Sequence, residues 1–160
     1  MLMGVVPMVG AGVAWWQRAG AHRSKAPQRA RAKPVHRLAE LDDEHLLGEL
    51  GRRFVELQAA WDACDVPALR QMTTEPMLRE LCRQFPAPSE RANVTQVLTL
   101  EAEMIGFDCL PAGCVASVAF SGLIRESAEV GAAPFRELWM LTRSNADGAA
   151  WRLARQQTLL

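Results

Sequence analysis

Near Asn93 the hydrophobic pattern of this chain changes its period, and that change restricts the folds open to it more than any motif does. Before it, Leu46, Leu50, Phe54, Leu57 and Trp61 recur at spacings of four, four, three and four, which places them on one face of a helix that starts at Asp42 or Asp43. Asp65 with Pro67 opens a short second helix to Met72. Thr73 and Thr74 offer hydroxyl caps to a third, in which Met77, Leu78, Leu81, Cys82 and Phe85 form the apolar stripe and Pro86 and Pro88 mark the end.

After Asn93 the residues alternate. Asn93 to Asp108, Val115 to Glu126, Phe135 to Arg143 and Trp151 to Thr158 read as four strands, the first long enough to need a bulge or bend. The links LPAG, SAEVGAAP and SNADG are too short for parallel crossovers and fit antiparallel hairpins. Helices first and a strand meander afterwards predict an α+β fold, with N-terminal helices packed on one face of a curved four-stranded antiparallel sheet.

The net charge of zero conceals a segregation. Residues 1–41 hold seven Lys/Arg and one acid, and residues 42–160 hold eleven basic and seventeen acidic groups, so a +6 arm precedes a −6 domain. Such a domain repels nucleic-acid phosphates, and no nucleic-acid partner is expected. Residues 1–16, MLMGVVPMVGAGVAWW, are uncharged and end in paired tryptophans. Their basic flank follows the apolar run, whereas a secretory signal carries it in front, so a membrane anchor is favoured over a signal peptide or a soluble extension. Residues 17–41 form a basic linker in which Arg18, Arg23, Lys25, Arg29, Arg31 and Lys33 suit anionic lipid. The positive flank puts residues 42–160, the folded domain, on the cytoplasmic side of the membrane.

Chemistry is sparse. Cys64, Cys82, Cys109 and Cys114 include no C-x-x-C, and His22, His36 and His45 all precede them, so no metal or cofactor is expected and the thiols read as small buried hydrophobes. Gly10 to Gly12 lacks the third glycine and preceding strand of a nucleotide loop. The carboxylates to weigh for acid–base work are Asp62, Glu101, Glu103, Asp108 and Glu137; Glu101 and Glu103 share a strand face with Thr99 and suit solvent. Ser117 and Ser121 have no histidine near them in sequence to activate a nucleophile. Arg125, Arg136, Arg143, Arg152 and Arg155 are expected in cross-strand ion pairs with neighbours such as Glu126 and Glu137. An apolar pocket under the sheet would be lined by Phe54, Leu57, Trp61, Val118, Phe120, Trp139, Leu141 and Trp151.

The blocks WDACDVPALRQMTT, VLTLEAEMIGFD, ASVAFSGLIRES, PFRELWMLTR and WRLARQQ, in that order, resemble the Tim44-like domain family, especially its bacterial membrane-associated members. The resemblance implies an NTF2-like cone of helices in a curved sheet. It also implies a non-enzymatic scaffold at the membrane, tethering a protein partner that the sequence does not identify. Thr74-Glu75-Pro76 reverses the acid–proline order expected of that family. A carrier of a small apolar ligand in the cone is the alternative, and an NTF2-like isomerase or dehydratase the third.

Overall fold

A computed structural model of the chain describes residues 43–87, 94–126 and 129–159. The anchor and lipid-binding segments expected at 1–16 and 17–41, with Arg18, Arg23, Lys25, Arg29, Arg31 and Lys33, lie outside the described residues, as does Asp42. Helices α1 (Asp43–Asp62), α2 (Val66–Met72) and α3 (Glu75–Arg83) precede strands β1 (Gln96–Leu110), β2 (Gly113–Arg125), β3 (Ala133–Ser144) and β4 (Arg152–Thr158). The strands form one antiparallel sheet in sequential order, so the fold is the α+β arrangement that the change of period predicts.

Local chemistry sets each boundary. The Asp65 carboxylate accepts a 3.0 Å bond from the Ala68 amide, and Pro67 fills the first turn of α2, where no amide is needed. The expected hydroxyl caps of α3 are not used: Thr74 caps it without a side-chain bond, and the Thr73 hydroxyl donates back to the Leu69 carbonyl at 2.7 Å. The backbone explains why. Thr73 bridges Leu153 and the Thr74 amide donates to the Leu153 carbonyl at 2.9 Å, which stitches the α2–α3 joint to β4.

The pairing of β1 with β2 skips Leu98 and Ile105, two bulges in a fifteen-residue strand. Each extra residue is exposed, Leu98 at 41% and Ile105 at 54%, and each resets the alternation so that Val97, Leu100, Ala102, Met104 and Phe107 all pack against the core. Gly122 is tied to the first bulge. A Cβ there would overlap the Thr99 carbonyl and lie 3.2 Å from the Phe135 ring. The Thr99 hydroxyl meanwhile accepts the Leu123 amide at 2.9 Å. Gly122→Ala is therefore expected to cost about 2–3 kcal/mol of stability, because backbone rather than a flexible side chain must move; urea denaturation measures it, and a loss under 0.5 kcal/mol would show the bulge to be pliable.

Across the sheet the register forms rows that face alternately in and out. Inner rows include Phe107–Ala116–Leu141–Leu153, Met104–Val118–Trp139–Gln156 and Ala102–Phe120–Glu137–Thr158. The helices cover this face. Phe54, Leu57, Leu69, Leu81, Val118, Phe120, Trp139, Leu141, Trp151 and Leu153 close into one core.

Two expectations about side chains need correction. Cys109 and Cys114, opposite each other beside the β1–β2 turn, are joined by a disulfide, while Cys64 and Cys82 are free and half-buried. Reading all four as thiols failed because spacing alone does not reveal that two strands bring a pair face to face. The bridge closes only a short loop, so its reduction should lower stability by roughly 2 kcal/mol, measured by denaturation with and without reductant. The expected cross-strand ion pairs are also absent among the described residues, whose ion pairs are Arg53–Glu56 at 3.3 Å and Arg83–Glu80, both within helices. Register is the reason. It sets Arg125 opposite Gln96, Arg136 opposite Ser121, Arg143 opposite Cys114, Arg152 opposite Thr142 and Arg155 opposite Met140, none of them charged.

Candidate functional site

The alternation of β3 points Phe135, Glu137, Trp139 and Leu141 inward, so a carboxylate stands in an aromatic row. Glu137 is 0% exposed. Its row neighbours are Phe120 on β2 and Thr158 on β4, and Phe135 and Trp139 flank it on its own strand. From α1, Phe54 drops onto the same patch, its ring 4.9 Å from Phe120, 5.4 Å from Phe135 and 4.7 Å from Trp139.

Two donors reach Glu137. The Trp139 indole N–H donates to Oε2 at 2.6 Å, and the Gln156 amide donates to the same oxygen at a longer 3.4 Å. Oε1 is buried and has no hydrogen-bond partner among the described residues. Burial raises the carboxyl to a pKa of about 7, and the bonds from Trp139 and Gln156 pull the other way without overcoming it. Near neutrality such a group holds and releases a proton with equal ease, the property a general acid–base residue needs.

A second polar cluster closes the end of α1. Asp62 accepts from the Thr95 amide at 2.8 Å, the Thr95 hydroxyl at 3.3 Å and the Gln58 amide at 3.2 Å. Its carboxyl is held above the ordinary range mainly by burial, with the charge of Glu126 adding to this and the three hydrogen bonds opposing it. These bonds tie the start of β1 to the end of the helix. Their role is architectural.

Of the other carboxylates weighed from sequence, Glu101, Glu103 and Asp108 are exposed on the outer sheet face. All eight residues expected to line a pocket, Phe54, Leu57, Trp61, Val118, Phe120, Trp139, Leu141 and Trp151, are buried and belong to the same core as the helices. Trp61, 3% exposed, has its ring 6.0 Å from Phe85. Trp151 lies at the far end, under the Arg143 guanidinium at 4.8 Å and edge-on to Phe107 at 6.2 Å. Gln156, the second donor to Glu137, is a residue the sequence did not mark: period two from the buried Trp151 and Leu153 would point it outward, and only the irregularity at Ala154 in the β3–β4 pairing turns it in. Among the described residues no three His, Cys, Asp or Glu side chains gather as metal ligands.

No family model matches the chain, and no curated protein matches it in sequence. Among the solved structures that resemble it in fold are the following two. One is a ketosteroid isomerase-like protein from Erwinia carotovora atroseptica, 15% identical, with 70% of this chain and 93% of that one covered at a TM-score of 0.41. The other, an NTF2-like superfamily protein from Salmonella enterica serovar Typhimurium, is 8% identical, with 73% and 92% covered at a TM-score of 0.42. The likeness to each is one of fold alone, and no residue role passes with it.

Proposed function

We propose that the chain is a membrane-tethered, non-enzymatic binding domain of the Tim44-like kind, which holds a protein partner at the bilayer. The observation that carries this reading is the filled interior: Phe54 is wedged among Phe120, Phe135 and Trp139, so recognition falls to the outer surface. The split between a basic arm and an acidic domain supports attachment through residues 1–41. No helix among the described residues is long and apolar enough to cross a membrane; in our reading the anchor is the uncharged run of residues 1–16.

Fractionation tests it. The full chain should pellet with membranes at low salt, and a version beginning at Asp42 should stay in the supernatant; identical soluble behaviour of the two would end the membrane reading. Release by high salt without detergent would assign attachment to Arg18, Arg23, Lys25, Arg29, Arg31 and Lys33 rather than to residues 1–16. We place the domain on the cytoplasmic side on the strength of the basic flank, although the Cys109–Cys114 bridge is of the kind that persists in oxidising compartments. A Cys109–Cys114 bridge recovered from cells alkylated before lysis would instead place it in an oxidising compartment.

Glu137 favours a second reading. A carboxyl poised near neutrality among aromatic rings suits an apolar molecule bearing one carbonyl, either carried in the cone or deprotonated next to that carbonyl. The measurement is deuterium incorporation into cyclic ketones in D₂O, followed by NMR. Exchange with the native chain and none with Glu137→Gln would establish proton transfer, and equal exchange with both would remove it.

A further inference from the structure

Cys109, Cys114 and Arg143 stand in one row across β1, β2 and β3 at the turn end of the sheet, and Trp151 lies beneath the Arg143 guanidinium. The disulfide in this row adds little to what already holds its two residues together. They are opposite in a register that runs from Leu110 and Gly113 back to Gln96 and Arg125. The turn beyond them is fastened from the end of β3: the Asn145 side-chain amide donates to the Leu110 carbonyl at 3.2 Å and to the Pro111 carbonyl at 2.7 Å. Gly113 lies so near the Arg143 carbonyl that a Cβ there would overlap it. With the bridge open, these contacts keep two thiols facing each other, and closing it again needs no refolding.

The two sulfurs are unequal. Cys109 is half-buried on the edge strand β1, between the exposed Asp108 and Leu110, whereas Cys114 is 8% exposed on the inner strand β2. Register sets Arg143 directly beside Cys114. One face of that guanidinium covers Trp151, and no carboxylate pairs with it among the described residues, so its charge is open to a neighbouring anion.

We propose that Cys109 and Cys114 form a reversible thiol–disulfide exchange site for low-molecular-weight thiols and their disulfides. A thiolate attacks Sγ of Cys109, the more accessible residue. The Sγ–Sγ bond breaks and its electron pair leaves on Cys114 as a thiolate, whose charge the Arg143 guanidinium stabilises. A second thiolate attacks the outer sulfur of the mixed disulfide, and Cys109 departs as a thiolate in turn. Two thiols thereby become one small disulfide, and the two protons they lose are taken up by the cysteine pair. The reverse sequence, from a small disulfide and the dithiol, re-forms the bridge. A pair that equilibrates with the thiols around it takes the redox state of its compartment, and the exchange holds on either side of a membrane.

The test uses the full chain in non-ionic detergent at neutral pH, without denaturant, and glutathione as the probe. Alkylation followed by peptide mass spectrometry reads the state of each cysteine. Reduced glutathione should open the bridge and oxidised glutathione close it, with circular dichroism unchanged throughout. In Cys114→Ser, oxidised glutathione should load Cys109 ahead of Cys64 and Cys82. Arg143→Gln should slow opening on the order of tenfold, and Arg143→Lys, which keeps the charge, should recover most of the rate. A bridge that opens only in urea, a Cys109 loaded no faster than Cys64 or Cys82, an Arg143→Gln variant that opens at the native rate, or an Arg143→Lys variant as slow as Arg143→Gln would each overturn the proposal.

Discussion

Replacing Glu137 by Gln should make the domain more stable than the native protein at pH 8 and less stable at pH 5. In the unfolded chain the native carboxyl ionises near an ordinary 4.5, and in the folded state at about 7. Between those values the folded state keeps a proton that the unfolded state has released. The stability this confers is complete below 4.5 and is lost as pH rises through 7, in total roughly 3 kcal/mol, after which it is level. Asp62, also held above its ordinary value, adds a slope of the same sign that both proteins share.

Glutamine never ionises, so it removes the Glu137 slope. It keeps an oxygen for the Trp139 and Gln156 donors, but its amino group takes the place of Oε1, which has no partner there, at a cost of about 1–2 kcal/mol. That cost exceeds the gain at pH 5 and is smaller than the gain at pH 8. The two stability curves therefore cross between these values, and urea melts at half-unit pH steps locate the crossing. Curves that run parallel would mean that Glu137 ionises in the folded state as it does in the unfolded one.

The sequence marked Glu137 as a carboxylate to weigh, yet it also assigned that residue to a cross-strand ion pair, and one register decides between the two. Period two in FRELWML already puts Glu137 in phase with Phe135 and Trp139, so its inward direction was legible from the strand alone. Its isolation was not. That depends on Phe120 and Thr158 rather than an arginine standing opposite, and strand offsets of one residue decide such neighbours. The same limit applies to Cys109 and Cys114, which are five apart in sequence and unremarkable until the turn at Pro111 and Ala112 sets them opposite. The bulge required in β1 was legible from length. That there are two, at Leu98 and Ile105, follows from the need to keep Val97, Leu100 and Met104 on one face, a condition visible only once β2 fixes which face is inside. Element order survived these errors because it rests on the change of hydrophobic period, which tertiary detail does not alter.

Phe54→Ala should cost about 4 kcal/mol, the largest loss expected of any single substitution in α1. The ring is 1% exposed and meets three others, two on β3 and one on β2, so its removal leaves a cavity bounded by strands whose hydrogen bonds stop them from collapsing inward. Set against the ~5–15 kcal/mol of a typical domain, the variant should be only marginally folded. Val55→Ala is the control: Val55 is the next residue along the helix but is 45% exposed, and its change should stay within about 0.5 kcal/mol. The same variant tests why Glu137 is protonated at neutral pH. Phe120, Phe135 and Trp139, the rings that Phe54 presses upon, are also Glu137's neighbours on the inner face, so shortening Phe54 admits water beside the carboxylate and lowers its pKa toward 4.5. Phe54→Ala should therefore lose part of the Glu137 pH slope together with its stability, whereas Gly122→Ala should lose stability and keep the slope. If both variants kept the native slope, desolvation by the Phe54 ring would not be what raises the carboxyl, and the helix would be packing over Glu137 without governing its charge.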